Sequence, residues 1–341
     1  MKRYQGESLP DRPRIAVVAN DAIGNFVVGT PLMQMLREKF SPCTLDYYGG
    51  TRTWELVEAS DLIDFAHPAH GAQPNQTAKV IAEQTEDRDY DLVVNVEWTG
   101  FAKSVTGMLC GLGTAVCGPC IGNGGRGDLA WPSDDRGALW ADQEWLSEEV
   151  TSRYPFLKSG FIGEIFCRLA YLDGDVPNYR LPVADPKVSV PDVLIATAAS
   201  LPEKLWAHEK WISLLSKLKA SGLTIGLIGA PKAKQAEFWN IADTEDDLVN
   251  AGIVQDFRGA FTLPQVVGAL GQARMVLSID NGIMHLAAGT DTPIVGLFRH
   301  GIHRLWCPPR DGITVLTPGD DSLVAAIDEA EVELAVRKIL G

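Results

Sequence analysis

Short apolar runs recur along this chain, each followed by polar turn residues and then a segment of helical periodicity. That alternation limits its fold more than any other feature. In the first half the runs fall at 14–19 (RIAVVA), 43–48, 62–65, 90–96 and 114–117, with helical stretches at 26–40, 51–59, 77–86 and 101–110 between them. In the helix 26–40, Thr30-Pro31 lies in an early turn where proline is tolerated. Runs that are apolar on both faces belong to strands covered on both sides, and strands alternating with helices give a parallel, doubly wound sheet. A proline-rich stretch at 173–191, carrying Pro177, Pro182, Pro186 and Pro191, reads as a linker. The alternation then restarts: strands at 193–197, 223–228, 275–279 and 313–316, and helices at 208–220, 232–241, 263–270 (behind a Thr262 cap) and 322–340. A chain of 341 residues suits two such domains, expected at 1–176 and 177–341, with the closing helix 322–340 free to pack back on the first.

Within the second domain, residues 275–298 read as a buried strand, the polar turn Asp280-Asn281-Gly282, a short helix and a second strand ending Leu297-Phe298. The turn places a capping side chain at the helix start, and His285 lies in the first helical turn. Free N–H groups and the positive end of the helix dipole make such a start a seat for a diphosphate, at the carboxyl edge of a parallel sheet where ligands bind. On its own the turn is equally well a structural one.

Composition excludes several classes. The formal net charge of −14 opposes nucleic acid and anionic membranes, and no basic patch offsets it. No apolar run approaches the roughly 18 residues of a membrane span, and residues 1–14 lack a signal-peptide core and read as a frayed polar tail, so a cytoplasmic location is expected. Cys43, Cys110, Cys117, Cys120, Cys167 and Cys307 are expected reduced and buried. Cys117-Gly118-Pro119-Cys120 has redox-pair spacing but follows a strand instead of opening a helix, and no second pair suits zinc. The Gly- and Asp-rich stretch 121–138, with Trp131 inside it and Trp140 close by, reads as a long loop suited to binding an acceptor. No Gly-x-Gly-x-x-Gly follows the first strand, which disfavours a dehydrogenase.

The two ends of the chain together resemble glycosyltransferase family 9, the heptosyltransferases. The resemblance rests on the strand 15–18 followed by Gly24-Asn25 and Thr30-Pro31. Further blocks are Lys204-Leu205-Trp206 with Trp211, Gly229-Ala230-Pro231, and Asp280-Asn281-Gly282-Ile283-Met284-His285-Leu286-Ala287-Ala288 followed by Thr292-Pro293 and Leu297-Phe298. It implies a GT-B architecture, two doubly wound Rossmann-like domains facing a central cleft, the first binding the acceptor and the second the nucleotide sugar. It also implies nucleotide-diphosphate contacts from Gly24, Ser200, Lys204, Gly229, Asp280, Asn281, Gly282 and His285, with Lys204 and His285 answering the charge that builds on the departing diphosphate. No metal and no other cofactor are expected.

Two departures matter. Where the family carries a Gly-Asp base, this chain has Asn25, and an amide cannot take a proton at neutral pH. Asp21 in the same turn, or Glu97, His300 or His303, would then serve, or the acceptor would need little base help, or catalysis is weakened. Ala233 stands where the family often has a ribose-binding Glu, which makes GDP as credible as ADP. The expected function is inverting, metal-independent transfer of a heptose-like sugar from an ADP- or GDP-sugar, leaning to a small soluble acceptor. The alternatives are a lipopolysaccharide-core acceptor and a nucleotide-sugar-binding protein with little turnover. A nucleotide-sugar epimerase fits the motifs poorly.

Overall fold

The computed structural model describes every residue except 72–73, 123, 143, 232, 235–243 and 320–322. It contains two compact units, Met1–Arg180 and Leu181–Gly341. In the first, strands β1 (Lys2–Arg3), β2 (Arg14–Val18), β3 (Thr44–Gly50), β4 (Phe65–His70), β5 (Leu92–Asn95) and β6 (Ala115–Cys117) form one parallel sheet in the order β1-β6-β5-β2-β3-β4. In the second, β7 (Val193–Ala196), β8 (Ile225–Leu227), β9 (Gln255–Asp256), β10 (Met275–Ile279), β11 (Ile294–Leu297) and β12 (Ile313–Leu316) pair in the order β12-β11-β10-β7-β8-β9, again all parallel. This is the doubly wound topology the alternation implies. Strand order reverses between β2 and β5 in the first unit and between β7 and β10 in the second. Ligands of open α/β sheets bind outside the carboxyl ends of the strands at such a reversal.

The cores follow from the sequence. Every residue of β7, β10 and β11 is buried, as a strand with both faces covered requires. Their side chains meet Trp206, Trp211, Leu214 and Leu218 on one side of the second unit. The closing helix Glu329–Leu340 adds Val332 and Val336 to that core, packing on β10, β11 and the helix His208–Ala220 of its own unit. Thr262 caps the helix Leu263–Gln272 in a reciprocal capping box with Gln265.

Four local expectations are corrected. The N-terminal residues are not frayed: Lys2–Arg3 extends the sheet beside β6, Tyr4 is buried, and Arg3 binds the carbonyls of Gly118, Leu129 and Ala130 while its guanidinium covers the Trp131 ring at 4.5 Å. The strand expected at 62–65 lies at 65–70, where the alternating Phe-Ala-His-Pro-Ala-His pairs with β3. Its polar, alternating composition suits a sheet edge better than the fully apolar pattern of the central strands. The proline-rich stretch is not a free linker. Asn178 and Arg180 bond to Gln34 and Thr30 of the first unit, whereas Ala184 donates to Pro264 of the second. Residues 143–172, whose apolar spacing predicts one helical stretch, instead form the separate helices Val150–Arg153 and Ile162–Leu169. The helix expected at 232–241 falls largely outside the described residues, of which Ala233 is exposed.

Candidate nucleotide-diphosphate and acceptor sites

In the second unit, the loop after β7 and the loop after β10 meet at the strand-order reversal. Register sets this: Ser278 pairs with Ala196 and Ile279 with Leu297, so Asp280 and Asn281 emerge level with Ala198 on one side and with Arg299 on the other. Asn281 is the N-cap of Gly282–Ala288, accepting from Met284 N at 3.0 Å while its Nδ2 donates to Ala198 O at 3.0 Å. One side chain thus ends the strand, starts the helix and ties the two loops together. The helix has only seven residues, so its dipole is modest and binding an anion falls mainly to side-chain cations.

The nearest such cation is Lys204, at the end of the 3-10 turn Pro202–Lys204. Its Nζ lies 2.8 Å from Oδ2 of Asp280 and 3.3 Å from the Asp280 carbonyl oxygen. Asp280 is 4% exposed, so the pair is largely shielded from water. His285 is equally buried, its Nε2 3.9 Å from Asp280 Oδ1 and its ring edge-to-face with Trp306. Burial pushes the His285 imidazole down to about 4, with Asp280 opposing the shift and Lys204 adding to it. At neutral pH it is therefore an uncharged ring, and its buried Nδ1 has no hydrogen-bond partner among the described residues. Lys204, Asp280, Asn281, Gly282 and His285 are brought together. Ser200 is exposed on the same loop as Lys204, and Gly229 follows β8 one strand further along, its carbonyl accepting from Gly259 N. Arg299, two residues beyond β11, was not among the residues singled out in the sequence. The only signal for it is its place after Leu297-Phe298. Its guanidinium lies 3.3 Å from Glu203, the neighbour of Lys204.

In the first unit, the loops after β2 and β5 meet in the same manner. Asn20 Nδ2 donates to Glu97 Oε2 at 2.6 Å, and Glu97 Oε1 accepts from Trp98 N at 2.9 Å and Thr99 N at 3.3 Å. Asp21 turns toward the next strand: its carboxylate accepts from Arg52 N at 2.7 Å and occupies the space left by the missing Cβ of Gly50. Gly24 and Asn25 lie in the first turn of the helix Ile23–Lys39, half-buried, and the Asn25 side chain makes no hydrogen bond among the described residues. His70, at the end of β4, also faces this edge. Burial holds its imidazole below the ordinary value, opposed by the charges of Glu97 and Asp21. It was missed because a lone His at the end of an alternating strand carries no motif.

Beside Glu97, Trp98 is 38% exposed and packs edge-to-face on Trp131 at 5.6 Å and Trp140 at 5.7 Å, and those two rings stack at 5.3 Å. Trp145 closes the cluster. The stretch 121–138 is thus anchored: Asp128 pairs with Ile121 and with Lys103, and Asp135–Ala141 is helical. Cys117 and Cys120 are buried free thiols, and burial pushes Cys117 up to about 12, the opposite of a reactive thiolate.

The two reversed sheets are those of the GT-B class, and the solved structures that share the fold bear this out. A family 9 glycosyl transferase from Veillonella parvula superposes with a TM-score of 0.73 at 15% identity, covering 98% of this chain and 99% of that one. E. coli ADP-heptose lps heptosyltransferase II gives 0.70 at 16% identity (96% and 98%), and E. coli heptosyltransferase WaaC with ADP gives 0.65 at 14% (96% and 99%). Residues 172–321, which hold Lys204, Arg299 and the Asp280–His285 segment, match the model of glycosyltransferase family 9 (heptosyltransferase). Lipopolysaccharide heptosyltransferase 3 of Escherichia coli is 24% identical over 162 residues, a match that takes in 43% of this chain and 46% of that protein's length.

Proposed function

We propose that this chain is an inverting glycosyltransferase that moves a heptose-like sugar from a purine nucleoside diphosphate to an acceptor hydroxyl without a divalent metal. The observation that carries the reading is Lys204 held against Asp280 beside the Asn281 cap at the second unit's strand-order reversal. In a direct displacement the acceptor oxygen attacks the anomeric carbon, the bond to the diphosphate oxygen breaks, and negative charge collects on that leaving group. Lys204 supplies a preorganised positive charge for it, and neutral His285 supplies a ring that can hydrogen-bond once rotated or protonated by approach of the anion. ADP is the favoured carrier, since the solved neighbours include an ADP-heptose heptosyltransferase and a heptosyltransferase with ADP, whereas GDP remains the alternative that Ala233 suggests.

The acceptor proton passes to Glu97. Asn25 cannot take it, Asp21 is turned toward β3 and fills the space beside Gly50, and Glu97 stands at the first unit's reversal with both oxygens oriented by N–H donors. The exposed face of Trp98, stiffened by three further tryptophans, supplies a platform for a sugar or aromatic ring of a small acceptor. A lipopolysaccharide-core acceptor is the second reading, favoured by the curated relative's own name. Calorimetric titration with ADP, GDP and UDP in chelator tests the donor site. Binding of ADP or GDP supports the reading, and failure of all three to bind overturns it.

A further inference from the structure

Two ion pairs pin the 3-10 turn after β7 to the loops of the next two strands. Lys204 is held by Asp280, and its neighbour Glu203 holds Arg299. The quartet carries two positive and two negative charges, so the free site has no net charge to offer an anion. Arg299 is incompletely satisfied in this state. Its NH1 reaches Glu203 Oε1 only at 3.3 Å, and its buried Nε has no hydrogen-bond partner among the described residues. A buried guanidinium N–H without an acceptor is costly, and the planar fork of an arginine matches phosphate oxygens. The strand register places Arg299 level with Asn281, one strand away from Lys204's anchor, on the same carboxyl edge.

We infer that Arg299 is a second diphosphate-binding cation and that Glu203 is its built-in competitor, released when the nucleotide diphosphate arrives. This rests on the proposed donor site but adds a residue pair to it. Binding is then an exchange of carboxylate for phosphate at Arg299, and Glu203 lowers affinity for the donor and for the released nucleoside diphosphate alike. That favours turnover by keeping the product from being held too tightly.

The test is calorimetry on the whole chain with ADP and, separately, adenosine. Arg299→Ala should weaken ADP about tenfold or more, the usual loss for a hydrogen bond to a charged group, and leave adenosine unchanged. Arg299→Lys should recover part of the loss, and Glu203→Gln should tighten ADP several-fold. An ADP affinity unchanged in Arg299→Ala, an equal loss for adenosine, or a Glu203→Gln protein that binds ADP more weakly would each overturn the inference. Failure of the unaltered chain to bind any nucleoside diphosphate would instead overturn the donor site itself.

Discussion

The Nδ2 of Asn20 donates to Oε2 of Glu97 at 2.6 Å, joining the loop that leaves β2 to the loop that leaves β5 where strand order reverses. Family 9 motifs would put a carboxylate five residues after Asn20, at Asn25. Here the carboxylate at this edge comes from the other loop. Glu97→Gln keeps the shape and most hydrogen bonds while removing the proton acceptor. It should lower sugar transfer by roughly 10²–10⁴-fold, the usual contribution of a general base, with ADP affinity unaltered. Transfer at the unaltered rate would remove Glu97 from the mechanism.

Asn25→Asp is the converse experiment. Its side chain is half-buried and makes no hydrogen bond among the described residues, so a carboxylate is accommodated without breaking a contact. If Glu97 is an efficient base, the gain in transfer should be slight. A gain from no detectable activity would show that the chain is a nucleotide-sugar-binding protein that has lost turnover.

Lys204→Ala should weaken ADP by on the order of tenfold to a hundredfold, because it removes a charge-assisted contact and also leaves Asp280 buried and unpaired in the free protein. Titration of a folded Lys204→Ala variant checks this. Unchanged affinity would place the diphosphate elsewhere.

Much of this was legible in the chain because it rests on local patterns. The largely apolar runs at 193–196, 275–279 and 294–297 announced central strands, and Asp280-Asn281-Gly282 announced a capped turn, which Asn281 supplies. What was not legible depends on pairing across sequence distance. Lys2–Arg3 is polar, and only its register with Ala115 and Val116 makes it a strand. Arg299 and His70 gain their significance from neighbours on other strands, and the ring stack of Trp131 on Trp140 needs the turn between them. Ala233 is exposed, and most of the helix expected around it lies outside the described residues.

Asn281→Thr would restore the residue usual in family 9. A threonine hydroxyl still caps the helix, but it cannot reach both Met284 N and Ala198 O as the amide does. The variant should lose about 1 kcal/mol of stability, the net value of one hydrogen bond, and Asn281→Ala about 2 kcal/mol once the cap is also gone. Denaturant titration checks the order, and equal stability of all three proteins would mean that the bond to Ala198 contributes nothing.

His285 gives the pH dependence its sign. Its folded value of about 4 lies below the ordinary 6.5, so between these values the unfolded chain binds the proton more readily than the folded one. Stability from this residue is fully present above pH 6.5 and is lost as pH falls toward 4, by on the order of 3 kcal/mol for one group shifted this far. His285→Gln removes the titrating ring, so its unfolding free energy should fall less between pH 7 and pH 4 than that of the unaltered protein, whatever the two differ by at pH 7. Acidification also charges other groups, notably the His70 and His303 rings, but these are common to both proteins and cancel in the difference. Parallel stability curves across that window would show that folded His285 takes up its proton as readily as the unfolded chain does, and burial would then not be lowering it.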